Sequence, residues 1–189
     1  CRDLYANAGG KFKADFNTVA HWKTEQGGGL IATSWEGSLI GRRVDVMICD
    51  DLIKGRKMAM SVHMREEAWE TYKADLVSSL QGRRKQIIVT TRWHQDDPPG
   101  RILPENFDGE TGWYKDRETG ELWFVLCLPA AAEHASDPLK RKIGEYMWPE
   151  QFSEKFKAAQ NRGGWVWSAL YQQRPSPVEG LMFRAEHLL

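Results

Sequence analysis

Cysteine is scarce in this 189-residue sequence: three residues, Cys1, Cys49 and Cys127, far apart and odd in number. That excludes a disulfide framework, and no Cys-x-x-Cys or His-x-x-x-His spacing supports a zinc site. Cys49 and Cys127 lie inside apolar runs and are read as buried, reduced thiols, which points to a reducing compartment. No apolar run approaches the roughly 18–20 residues of a membrane helix, and no signal peptide opens the chain. Net charge is absent as well: 26 Lys and Arg balance 26 Asp and Glu, so no global basic field advertises a nucleic-acid partner. A phosphate-gripping loop of the form Gly-x4-Gly-Lys-Ser/Thr is also missing. The nearest string, Ala8-Gly9-Gly10-Lys11-Phe12, lacks both the first glycine and the hydroxyl residue. With Cys1 in place of an initiator Met, the sequence is read as a piece of a longer protein.

What is present suits a globular fold. Hydrophobic residues make up 41% and charged residues 28%, a balance that can bury a core and still dissolve. The length allows one domain with a core of its own, or one domain plus a small appendage. Nine tryptophans predict a strongly aromatic core, with some rings left for a partner-facing surface.

Two runs carry the chemistry. Val44–Cys49 is nearly all apolar and ends in Asp50-Asp51, and Gln86–Thr91 is followed by Arg92. Each reads as a strand covered on both faces that ends abruptly in polar groups. Between them Met64, Ala68, Tyr72, Leu76 and Leu80 recur every four residues, with Trp69 widening the stripe. That spacing predicts a helix, capped by Ser61 and ended by Gly82. Strand, helix, strand makes a βαβ unit and a parallel sheet. Upstream, residues 1–29 carry no clear period, and Leu30–Trp35 reads as a short strand. Downstream, Trp113–Lys115 and Leu122–Leu126 flank Arg117-Glu118-Thr119-Gly120 and predict a hairpin. Asp97 is placed as the cap of a short turn into Gly100–Leu103. Ser153 is placed as the cap of a helix to Arg162, and a shorter helix follows over 165–173. His21, His63, His134 and His187 have no partner spacing and are read as surface or locally hydrogen-bonded residues.

Ligands of open α/β sheets bind at the C-terminal strand ends, where this pattern puts Asp50 and Asp51. Carboxylates there are hard ligands for Mg²⁺ and acceptors that can orient a water. By position, Asp50 is assigned to the metal and Asp51 to the water. Thr90 and Thr91 offer hydroxyls where a terminal phosphate would lie, and Arg92 offers charge to neutralise it or to couple nucleotide state to motion. Arg42, with Arg43, is a candidate phosphate-contacting arginine. The plain alternatives are surface aspartates capping a turn, β-branched strand filler at Thr90 and Thr91, and a solvated basic turn at Arg42-Arg43. His94, Asp96 and Asp97 are read as loop rather than as a second acidic site.

In order, Gly41-Arg42, ICDDLIK (48–54), TTRWHQDD with GRIL (90–103), LPAAAE (128–133), WPEQFS (148–153) and ALYQQRP (169–175) resemble the large terminase subunit of tailed bacteriophages and prophages. The likeness runs from Thr24 to Phe183. It implies an ATP- and Mg²⁺-dependent motor of RecA-like P-loop type that drives double-stranded DNA through a portal protein into a procapsid. It also implies a nuclease domain beyond this sequence. Such a motor works in the host cytoplasm as a homo-oligomeric ring, with a small terminase subunit as partner. Carried over by position, Asp50 and Asp51 fall on the Walker B pair. Thr90, Thr91 and Arg92 fall on the motif that couples hydrolysis to DNA movement.

The expected fold class is therefore α/β: a partial RecA-like parallel sheet with flanking helices, then a small hairpin and a helical linker region. Residues 1–128 would be the later part of the ATPase domain, 129–174 its end and linker, and 175–189 the approach to the nuclease. With part of the sheet missing, exposed sheet edge and apolar surface are expected. Three features depart from the family pattern: the missing phosphate loop, Asp51 where many relatives carry Glu, and Pro98-Pro99 before the GRIL turn. A helicase-like RecA-type ATPase, or a non-catalytic remnant that binds portal or small subunit, would share the two strands.

Overall fold

The computed structural model describes residues 6–34, 37, 42–160 and 165–175, without the side chains of 14–17 and 83. The chain divides into two compact units, Cys1–Arg43 and Val44–Leu189.

The first unit holds an antiparallel meander of β1 (Phe12–Asn17), β2 (His21–Thr24) and β3 (Gly29–Ile31). Neither β1 nor β2 has a clear period in the sequence, and the strand expected over Leu30–Trp35 is only the short β3, with Trp35 outside the described residues. Thr24 closes the β2–β3 turn, its hydroxyl accepting from the Gly28 amide at 3.0 Å. Gly29 is required here, because a Cβ would meet the Trp22 carbonyl oxygen at 2.7 Å.

The second unit is mixed α/β around a parallel pair, β4 (Val44–Asp50) and β5 (Leu80–Val89), in register Met47 to Gln86 through Asp50 to Val89. Two helices connect them: α1 (Gly55–Met60) and α2 (Val62–Thr71), continued by a π-turn over Tyr72–Leu76 and a 3-10 turn over Val77–Ser79. Ser61 caps α2 as expected, its Oγ accepting from the Met64 amide at 3.3 Å. The predicted stripe is the buried face: Ala68, Trp69, Tyr72 and Leu76 are all below 8% exposed. Removing each large side chain from water contributes roughly 1.5–3 kcal/mol. Tyr72 also reaches the sheet, donating its hydroxyl to Gln86 Oε1 at 2.8 Å.

Two expectations are corrected. Leu80 and Gly82 do not close the helix but begin β5; Gly82, at φ +58°, sits where the ladder slips between Val44–Leu80 and Val46–Lys85. A positive φ suits glycine and accommodates the irregularity. Nor is the sheet covered on both faces. Met47 and Cys49 are buried, whereas Val46, Ile48, Ile87 and Val89 are 48–64% exposed. Exposed apolar surface was expected, and these four side chains form it.

Beyond β5 come α3 (Pro98–Ile102), the hairpin β6 (Gly112–Lys115) and β7 (Leu122–Val125), α4 (Glu154–Gln160) and a π-helical turn over Trp167–Tyr171. The hairpin matches its expectation: Asp116 Oδ1 accepts from the amides of Glu118 and Thr119, and Gly120 takes φ +73°. Ser153 caps α4, accepting from the Phe156 amide at 3.3 Å, and the expected end at Arg162 lies outside the described residues. Cys49 and Cys127 are buried and free, and burial pushes both thiols up to about 11. No helix among the described residues is long and apolar enough to cross a membrane.

Candidate functional site

Because β4 and β5 are parallel and in register, their C-terminal ends lie side by side. This brings Asp50 and Asp51 together with Thr90 and Thr91. The Asp51 amide donates to the Val89 carbonyl at 2.9 Å, and its Oδ1 accepts from the Thr91 amide at 3.2 Å. Asp51 thus ties one strand tip to the other. It does so in the left-handed region, at φ +46°, a conformation that aspartate tolerates better than most residues. The turn is anchored by Leu52 and Ile53, 7% and 0% exposed, which fold back into the core.

Asp50 is exposed, and among the described residues no protein group pairs with its carboxylate. Thr90 and Thr91 are half-buried; the Thr90 hydroxyl donates to the Thr91 carbonyl at 3.2 Å. An exposed carboxylate beside a partly committed one, with hydroxyls adjacent, is a donor set suited to a hydrated hard cation. ATP fits less well, since these 189 residues contain no phosphate loop to supply a cradle of backbone N–H groups.

Arg92 is placed differently. It is 9% exposed, and its Nε donates to Asp97 Oδ2 at 2.9 Å, with Asp97 itself 1% exposed. Asp97 uses its other oxygen as the expected cap of α3, accepting from the Gly100 amide at 2.9 Å. Gly100 allows that cap to close: a Cβ there would lie 1.8 Å from the Gln95 carbonyl oxygen and 2.9 Å from Arg92 Nη2. The guanidinium assigned to phosphate is therefore committed to a buried ion pair within its own loop. Arg42, the other candidate, is exposed and belongs to the first unit.

A second ion network supports the loop after β5. Asp96 accepts from Arg65 Nε at 3.0 Å and from Arg101 Nε at 2.8 Å, and Arg101 also pairs with Glu66 at 2.9 Å. Burial alone would raise the Asp96 carboxyl, yet the hydrogen bonds from Arg101 and Arg65 hold it below its ordinary range. His94 is pushed down, first by burial and then by the Arg65 charge, and its Nδ1 accepts from the Asp96 amide at 3.0 Å. Both groups act structurally, in line with a loop rather than a second acidic site.

The sequence did not reveal how two of its later segments interlock. The Ala131 amide donates to Gln172 Oε1 at 2.9 Å, and Gln172 Nε2 donates back to the Ala131 carbonyl at 3.0 Å. The Ala130 amide donates to the Tyr171 carbonyl at 2.7 Å, and Arg174 pairs with Glu133 at 2.7 Å. Gln173 reaches the strand tip itself, accepting from the Arg92 amide at 3.1 Å. Close by, Arg141 and Asp137 form a buried bidentate pair.

Two further features complete the picture, one beside the β5 tip and one made by other residues. An apolar groove of about 530 Å³ runs between β5 and residues 123–128; Thr90 and Arg92 line it, and no carboxylate does. Asp108, Glu110 and His134 bring ligand-capable atoms within 4.8 Å of one another, and His134 Nε2 lies 3.3 Å from the Asp108 carbonyl oxygen.

No family model matches the sequence, and no curated protein matches it.

Proposed function

We propose that this chain carries the cation-holding and water-orienting part of an ATP-hydrolysing, RecA-like DNA-packaging motor of the large-terminase type. The observation that carries the reading is the pairing of Asp50-Asp51 with Thr90-Thr91 at the C-terminal ends of adjacent parallel strands. In this reading Asp50, exposed and without a protein partner among the described residues, would hold Mg²⁺, which would supply positive charge to the phosphate oxygens. Asp51 keeps Oδ1 on the Thr91 amide and turns Oδ2 towards the attacking water. Thr90 and Thr91 would offer hydroxyls to a terminal phosphate, and Arg92 would act through the loop it braces. Double-stranded DNA, a portal protein, a small terminase subunit and further copies of the motor in the host cytoplasm are the partners this reading supplies.

Asp51→Asn in the parent packaging protein is expected to lower ATP turnover at least about 100-fold while ATP still binds. Turnover left intact would remove Asp51 from this role. The 189-residue chain by itself is expected to show no measurable ATPase, for want of a phosphate loop; robust turnover would contradict that. The reading as a non-catalytic module bound to portal or small subunit is favoured by one observation, the burial of Arg92 against Asp97. Binding of the chain to portal, unchanged by Asp50→Ala and Asp51→Ala and with no ATPase in the parent, would establish it instead.

A further inference from the structure

Two consecutive backbone amides at the tip of β5 are each taken by a side chain from a distant part of the chain. The Thr91 amide donates to Asp51 Oδ1 at 3.2 Å, and the Arg92 amide to Gln173 Oε1 at 3.1 Å. Both acceptor residues are non-glycine residues in the left-handed region, Asp51 at φ +46° and Gln173 at φ +58°. Such backbone is unfavourable for a residue with a side chain and persists only where its surroundings impose it. For Gln173 the surroundings are plain. Its Nε2 donates to the Leu170 carbonyl at 2.8 Å, Gln172 clamps Ala131 on one side, and Arg174 pairs with Glu133 on the other.

The two captured N–H groups belong to adjacent peptide planes that meet at the Thr91 Cα. A rotation about the Thr91 backbone that releases one amide therefore re-aims the other. We propose that Gln173 is a positioning residue that couples the strand-tip carboxylate Asp51 to the docked segment 167–174, through the Thr91–Arg92 backbone. When Asp51 changes its grip on Thr91, the segment that carries Gln173 feels it, and the reverse holds by linkage. The functional meaning rests on the role proposed for Asp51; the coupling itself does not.

The test is amide hydrogen exchange in the ¹⁵N-labelled 189-residue protein, read residue by residue at Thr91 and Arg92. Gln173→Ala is expected to lower protection at Arg92 at least about tenfold and at Thr91 at least about threefold. Asp51→Ala should do the mirror image, and the double variant should fall short of the product of the singles by more than about threefold, beyond what independent sites show. Gln173→Met, which keeps the volume without the acceptor, gives the same reading should the alanine variant fail to fold. Arg174→Ala loosens the same segment but keeps the Gln173 acceptor, and should lower protection at Thr91 by clearly less than Gln173→Ala does.

An effect of Gln173→Ala confined to Arg92, additivity within about twofold, or equal deprotection of Thr91 by Arg174→Ala would each overturn the proposal. Because the readout is exchange and not turnover, its failure would leave the chemistry of Asp51 untouched. Failure of ATP hydrolysis would likewise leave the coupling untouched.

Discussion

The tips of β4 and β5 lie side by side and end in charge, yet they spend that charge in opposite ways. At β4, Asp50 is exposed without a protein partner among the described residues, and Asp51 commits one oxygen to a neighbouring amide. At β5, Arg92 is buried and pairs through Nε with Asp97, which in turn caps α3. A carboxylate left in water keeps its capacity for a cation or a water molecule. A guanidinium locked into a buried pair braces the loop and passes on its position. The contrast divides the two tips: β4 leaves a carboxylate in water, and β5 forms a support that other segments grip.

The sharpest way to break this comparison is to remove one acid from each tip. Asp97→Ala strands the Arg92 guanidinium in the interior and uncaps α3. It is expected to cost about 3–5 kcal/mol in urea-monitored unfolding, most of it from the unpaired buried charge. Asp50→Ala touches no such feature and should fall within about 0.5 kcal/mol of the parent. Equal losses at the two positions would erase the distinction. Gly100→Ala should come next, at about 1–3 kcal/mol, because its Cβ would press on the Gln95 carbonyl and on Arg92; a neutral result would mean the loop after β5 is not rigid. Ser61→Ala, which removes the cap of α2 but nothing at either tip, should cost about 1 kcal/mol.

Acid should weaken the β5 side selectively. His94 is harder to protonate in the folded protein than in the unfolded chain, so stability falls as pH drops through its unfolded value of about 6.5. Asp96 is held below its ordinary range. Its contribution is present above its unfolded value of about 3.9 and is lost as pH falls through the lower folded value. The two have the same sign. Urea midpoints measured from pH 7.5 down to pH 5 should fall steadily, and His94→Gln should flatten that trend. A midpoint that rises on acidification would contradict the burial of His94 beside Arg65.

Much of this was legible from residue patterns, and the failures have physical causes. The βαβ unit, the hairpin and the caps at Ser61, Asp97 and Ser153 follow from short-range rules of period and hydrogen bonding, which act within a few residues. The early part of β5 was hidden because Gly82, Arg84 and Lys85 look like the end of a helix. Pairing with Val44 and Val46 overrides that local preference. Val46 and Ile48 look buried by composition, but no described residue covers them, and composition cannot count the neighbours a strand will have. At the site, Asp50 and Asp51 could be placed because strand ends and parallel pairing fix them. The engagement of Arg92 with Asp97 and the grip of Gln173 on its amide depend on loop geometry, and neither leaves a periodic trace.

The division between the two tips is tested most directly by titrating the ¹⁵N-labelled protein with Mn²⁺, a paramagnetic stand-in for Mg²⁺, and mapping which amides broaden first. Broadening centred on Asp50, Asp51 and Thr91, and abolished by Asp50→Asn, is the predicted result. Broadening centred on Asp108, Glu110 and His134, with Asp50 and Asp51 unaffected, would contradict it.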